Sequence, residues 1–102
     1  IEQADVIVRR FVAFAERITK LYPERELAHL VLCKACIQVA KQNLQHDAEA
    51  EAIRDFVRAL AEARRAAVID PQSHAARELV THLEDKLRRF EVDPESSAPS
   101  GP

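Results

Sequence analysis

In 102 residues this chain uses glycine once, at Gly101 in its last two positions. Everything before that point must turn without the residue that most freely takes left-handed backbone. Sandwiches, barrels and α/β folds depend on such turns, so they are disfavoured from the outset. Aromatic residues make up only 5% of the chain, and Ala, Leu, Glu, Arg and Lys are abundant. These are strong helix formers and weak strand formers. The expected class is all-α, in a single domain over residues 1–92.

Helix breakers and apolar periodicity divide that domain into four segments. The first runs from Glu2 to Tyr22 and stops at Pro23. Ala4, Ile7, Phe11, Phe14, Ile18 and Leu21 recur at steps of three and four, forming one seam opposite Asp5, Arg9, Glu16 and Lys20. The second segment runs from about Glu24 to Gln45. Its apolar positions make two stripes, Ala28, Leu32, Ala35 and Val39 beside Leu30, Cys33, Ile37, Ala40 and Leu44. Asp47 is placed to cap the third segment, whose seam is Ile53, Phe56, Leu60, Ala63 and Ala67. After Asp70-Pro71-Gln72, Ser73 caps a fourth segment ending near Phe90, with the single stripe Ala76, Leu79, Val80, Leu83, Leu87 and Phe90. Residues 93–102, rich in Pro and Ser, read as a disordered tail or linker. The start at Ile1 rather than methionine suggests a piece of a longer protein.

The middle two segments are apolar over more of their circumference than the outer two. A helix of that kind must touch more than one neighbour. Short connections make consecutive helices antiparallel. Either an up-and-down four-helix bundle or an open stack of hairpins satisfies these conditions, and the edge-inside-inside-edge order favours the stack.

Between Ala59 and Leu87, the small residues Ala59 and Ala66 and the phrase Ile69-Asp70-Pro71 lead into a new amphipathic helix. This stretch resembles the second helix of a tetratricopeptide repeat followed by a capping helix. Ala63 stands where that family has a large aromatic, and Asp47 where it has a small residue. The second to fourth segments, of which the third is alanine-rich and the fourth rich in Arg and Leu, also resemble the three-helix microtubule-interacting and trafficking domains. Both resemblances imply a helical scaffold that receives a peptide or helix from a partner.

Chemistry-bearing clusters are few. Cys33-Lys34-Ala35-Cys36 is a lone C-x-x-C within a helix, without the second pair that a zinc module needs. Buried thiols acting as small hydrophobes are the simpler reading. His29 lies on the same arc as Cys33 and Cys36, so the three are a candidate metal set, with His74 or His82 as a fourth ligand. The competing account of His29 is a core histidine bonded to a carboxylate or a carbonyl. No nucleophile-base pair or phosphate loop appears, so no enzymatic activity and no cofactor are expected. Arg64, Arg65, Arg77, Arg88 and Arg89 give the last two segments a local basic character that suits an acidic peptide or ordinary surface charge.

A net charge of -2 disfavours nucleic acid, and no apolar run is long enough to cross a bilayer. Cysteines too close for a structural disulfide point to a reducing, intracellular setting, the cytoplasm first. The expected function is therefore that of an adaptor or scaffold binding another protein, with Ala28, Leu32, Ala35 and Val39 as the candidate contacts. Packing of that same stripe on the first helix is the alternative. Homo-oligomerisation and metal binding through His29, Cys33 and Cys36 are the other two readings.

Overall fold

The chain turns where its helix-breaking residues stand. The computed structural model describes residues 2–90, with side chains from residue 5 onward. It contains four helices, α1 (Glu2–Leu21), α2 (Glu26–Gln45), α3 (Glu49–Ile69) and α4 (His74–Arg89), and no strand among the described residues. The tail expected over 93–102 lies outside the described residues.

Two junctions show how local chemistry sets the ends. Ser73 caps α4 as its sequence position suggests, its hydroxyl oxygen accepting the Ala76 N–H at 3.2 Å. Asp47 departs from expectation. It does not cap α3; Ala48 holds that position, without a side-chain bond. Instead Asp47 takes left-handed backbone with φ 57°, and Ala48 N–H reaches the Asn43 carbonyl at 2.8 Å while Asp47 N–H reaches Leu44 at 3.2 Å. That pairing is a Schellman closure of α2. A chain without a nearby glycine uses aspartate, one of the few other residues that tolerate this conformation.

The interior pair of helices is the buried pair. Nine residues of α2 and seven of α3 are buried, against three in α4. Among the described side chains of α1, only Ala15 is. Consecutive helices pack in chain order, α2 on α3 most extensively, and α4 has no comparable interface with α1. The array is thus open, not a closed ring.

The core runs across all four helices, from Ala15 through Leu32, Cys33, Phe56 and Leu60 to Leu83 and Leu87. Phe56 is fully buried, stacks on Phe90 at 6.1 Å between centroids, and lies under the Lys86 ammonium at 5.1 Å. Its burial is worth about 1.5–3 kcal/mol. The α2–α3 seam is lined by Ala35, Ala40, Ala52, Ala59 and Ala63, all 0% exposed, so these two backbones approach closely.

The α1 seam is divided, contrary to the single-face expectation. Phe11, Val12 and Ile18 are partly buried around Ala15, whereas Ile7, Phe14 and Leu21 are 64%, 57% and 66% exposed. The reason is that α1 has one main neighbour, and small residues set the contact. Ala15 and Ala28 let α1 settle closely on α2, with the Thr19 hydroxyl 3.3 Å from the Ala28 carbonyl. One-sided contact covers only half of a seam built from steps of three and four.

Candidate partner-binding groove

Because α1 and α3 both pack on α2, they leave a trough between them with α2 as its floor. Its central cavity is about 650 Å³ and is walled by Glu16, Thr19 and Lys20 on α1 and by Val57, Arg58 and Ala61 on α3. Leu32 and His29 form the floor there. The trough continues past Arg54 into a cavity of about 540 Å³ bounded by Asp5, Val8, Val39 and Asn43. At the other end it opens past Pro23 and Arg65 onto an apolar shelf made by Val68 and Ile69. It follows nearly the whole of α2, about 30 Å.

Of the four sequence-predicted contacts, Leu32 and Val39 line this groove. Ala28 and Ala35 line neither cavity and are buried in helix packing, and Leu32, at 4% exposure, is itself mostly core and shows the groove only an edge. The stripe is thus split between the helix interface and the groove lining. Sequence reading missed the α3 wall, Val57, Arg58, Ala61 and Arg65. Its available signal was a small apolar strip between arginines at helical spacing.

The groove floor holds a buried polar network. His29 is 5% exposed and Glu62 is 4% exposed. His29 Nδ1 lies 2.8 Å from Glu62 Oε1, and Nε2 lies 2.7 Å from the Pro23 carbonyl. Glu62 Oε2 accepts from Arg65 at 2.8 Å. The Pro23 carbonyl can only accept, so Nε2 carries a hydrogen. Nδ1 and Glu62 Oε1 share the second hydrogen bond of the ring. This network ties α2 to α3 and to the α1–α2 turn, which is the account of His29 as a bonded core histidine. No buried side-chain nitrogen or oxygen among the described residues lacks a partner.

That arrangement bears on the candidate metal set. Both ring nitrogens of His29 are engaged by oxygen atoms, and His74 and His82 line a different cavity, between α4 and Lys34. Among the described residues no group of three or more His, Cys, Asp and Glu is arranged to hold a metal. Burial pushes the Cys33 thiol up to about 12 and the Cys36 thiol up to about 11, each from 9.0. Both thiols stay protonated at neutral pH, a poor state for either ligation or nucleophilic attack.

The groove walls are charged but internally compensated. Arg58 spans the trough to Glu16 at 2.6 Å, a bond that raises the pKa of its guanidinium. Arg54 faces Glu51 at 3.5 Å, and Arg65 faces Glu62. Asn43 donates to Asp55 at 2.7 Å, while burial pushes the Asp55 carboxyl up. The Arg58–Glu16 strap is half-exposed, so opening it costs only about 0–1 kcal/mol. The basic residues Arg77, Arg88 and Arg89 are all exposed on α4 and do not join this groove; Arg64 pairs with Glu84 at 3.0 Å. No described helix is long and apolar enough to cross a membrane. Comparison with known proteins finds no matching family model, no matching curated relative and no matching solved structure.

Proposed function

We propose that this chain is a non-enzymatic protein-interaction module that receives a partner peptide or helix in the trough between α1 and α3. The observation that carries this reading is the continuity of the trough along α2, with Leu32, Val39, Val57 and Ala61 as apolar contacts. A helix laid there would meet apolar side chains below and charged side chains on both walls, the pattern of helix-in-groove recognition. The Arg58–Glu16 pair supplies an exchangeable contact, since an incoming carboxylate can replace Glu16 at little cost. The same use is implied by the resemblance to tetratricopeptide hairpins.

The test uses peptides selected against the chain from a random display library. Filling the trough with Ala61→Trp should abolish binding of the selected peptides. Amide exchange should slow in α1 and α3 when they bind. A selection in which no peptide loses binding to the Ala61→Trp variant, and none protects α1 and α3 together, would overturn the reading.

A further inference from the structure

The face opposite the trough has a different electrical character. On α1, Ile7, Arg10, Phe14, Arg17 and Leu21 recur at steps of three, four, three and four, so they form one line along the helix. All five are exposed. On α2, Leu27, Val31, Lys34, Gln38 and Lys41 recur at four, three, four and three. Leu27 is 70% exposed. Because Asp5, Glu16, Thr19 and Lys20 of α1 turn toward the trough, the α1 line faces away from it, and on α2 the line lies opposite Leu32 and Val39 of the trough floor, with Lys34 at its border with α4. The α1 line spans about 21 Å.

Neither line contains a carboxylate. Arg10, Arg17, Lys34 and Lys41 are all exposed, and none forms an ion pair with a described residue. This is the opposite of the trough, where Arg54, Arg58 and Arg65 each have a carboxylate from the same chain. Five apolar side chains, four exposed and Val31 half-buried, thus lie on these two lines with four uncompensated cations. Charge of one sign at that density selects an anionic partner.

We propose that the α1 side of this face docks an acidic amphipathic helix, one with apolar residues at steps of three and four and Glu or Asp interleaved with them. The interleaving decides among the candidates. Apolar knobs of such a helix fit between Ile7, Phe14 and Leu21, and its carboxylates then fall opposite Arg10 and Arg17. A second copy of this chain is disfavoured, since antiparallel pairing about Phe14 sets Arg10 against Arg17. A membrane surface is met by helices whose apolar and basic residues are segregated to separate faces, and here they alternate along one line.

The probe is a synthetic helical peptide with leucines at heptad positions flanked by glutamates, titrated into the full chain by fluorescence anisotropy. The control peptide carries lysine at every glutamate. The glutamate peptide should bind and the lysine peptide should not, with affinity falling as salt is raised. The double variant Arg10→Glu/Arg17→Glu should weaken binding by about ten-fold or more. Phe14→Ala should do so by about ten-fold as well. These side chains are exposed, so circular dichroism should show both variants folded. Ala61→Trp, which blocks the trough, should bind the peptide as the parent does; this separates the present proposal from the one above.

Equal binding of the glutamate peptide by parent and Arg10→Glu/Arg17→Glu would overturn the proposal, as would no binding at all. So would loss of binding in Ala61→Trp with retention in the arginine variant. Co-sedimentation with phosphatidylserine vesicles without peptide binding would assign the face to a membrane instead. A doubled mass by light scattering, reversed by Phe14→Glu, would assign it to a second copy.

Discussion

His29 shows how much one side chain can commit to structure. Its two ring nitrogens hold Glu62 on α3 and the Pro23 carbonyl at the α1–α2 turn. Removing one partner leaves the other buried with an unmet hydrogen bond, although Arg65 still holds Glu62 and the Pro23 carbonyl still holds His29, and such a loss costs about 1–3 kcal/mol. Chemical denaturation of His29→Ala and Glu62→Ala should each show a loss in that range. The double variant should lose clearly less than the sum, because the second deletion removes a group whose shared bond is already lost. Additive losses would mean the two groups act separately. Cys33 and Cys36 make the complementary case, in which burial favours the neutral form. Their thiols are pushed from 9.0 up to about 12 and about 11. Below 9.0 they are protonated in both folded and unfolded chain, and their contribution is fully present. As pH rises above 9.0, the unfolded chain releases these protons first, so stability falls toward the folded values. Thermal melts of the parent should therefore drop across this alkaline window more steeply than melts of Cys33→Ala/Cys36→Ala. Parallel slopes would refute the assignment.

At the scale of the helices, the ends illustrate what is local and what is not. Ser73 was legible as a cap because a hydroxyl before an amphipathic run has one obvious use, and Ser73→Ala should cost about 1 kcal/mol. Asp47 was legible as a helix-end residue but not as to which helix it serves. An aspartate between two helices can cap the second or close the first, and the left-handed φ of 57° selects the latter. Asp47→Gly should accordingly raise stability by about 0.5–1 kcal/mol, measured by urea unfolding. A loss on that substitution would place Asp47 back in an N-cap role. The α1 seam carries a related ambiguity. Steps of three and four from Ile7 to Leu21 specify a helix with an apolar side. They do not say whether one neighbour or two will cover it.

Across the whole molecule, protection from solvent is graded by position in the array. Amide exchange should be slowest in α2 and α3, whose faces are covered on both sides, and fastest in α1, which rests mainly on α2. Uniform protection across the four helices would contradict an open arrangement. That gradient was present in the composition of the segments, since only a helix with two neighbours can use apolar residues around most of its circumference. The scarcity of glycine, the prolines at 23 and 71 and the two periodic stripes of the second segment were enough to establish an all-α array and its order. These are short-range properties, each decided by backbone preference or by one helix's own surface. The trough, the Glu62 and Pro23 partners of His29, the half-covered α1 and the row of unpaired arginines along its outer line were decided only by packing. Each depends on the rotation of one helix against another, and alanine-lined contacts permit several rotations that a single sequence leaves nearly equal.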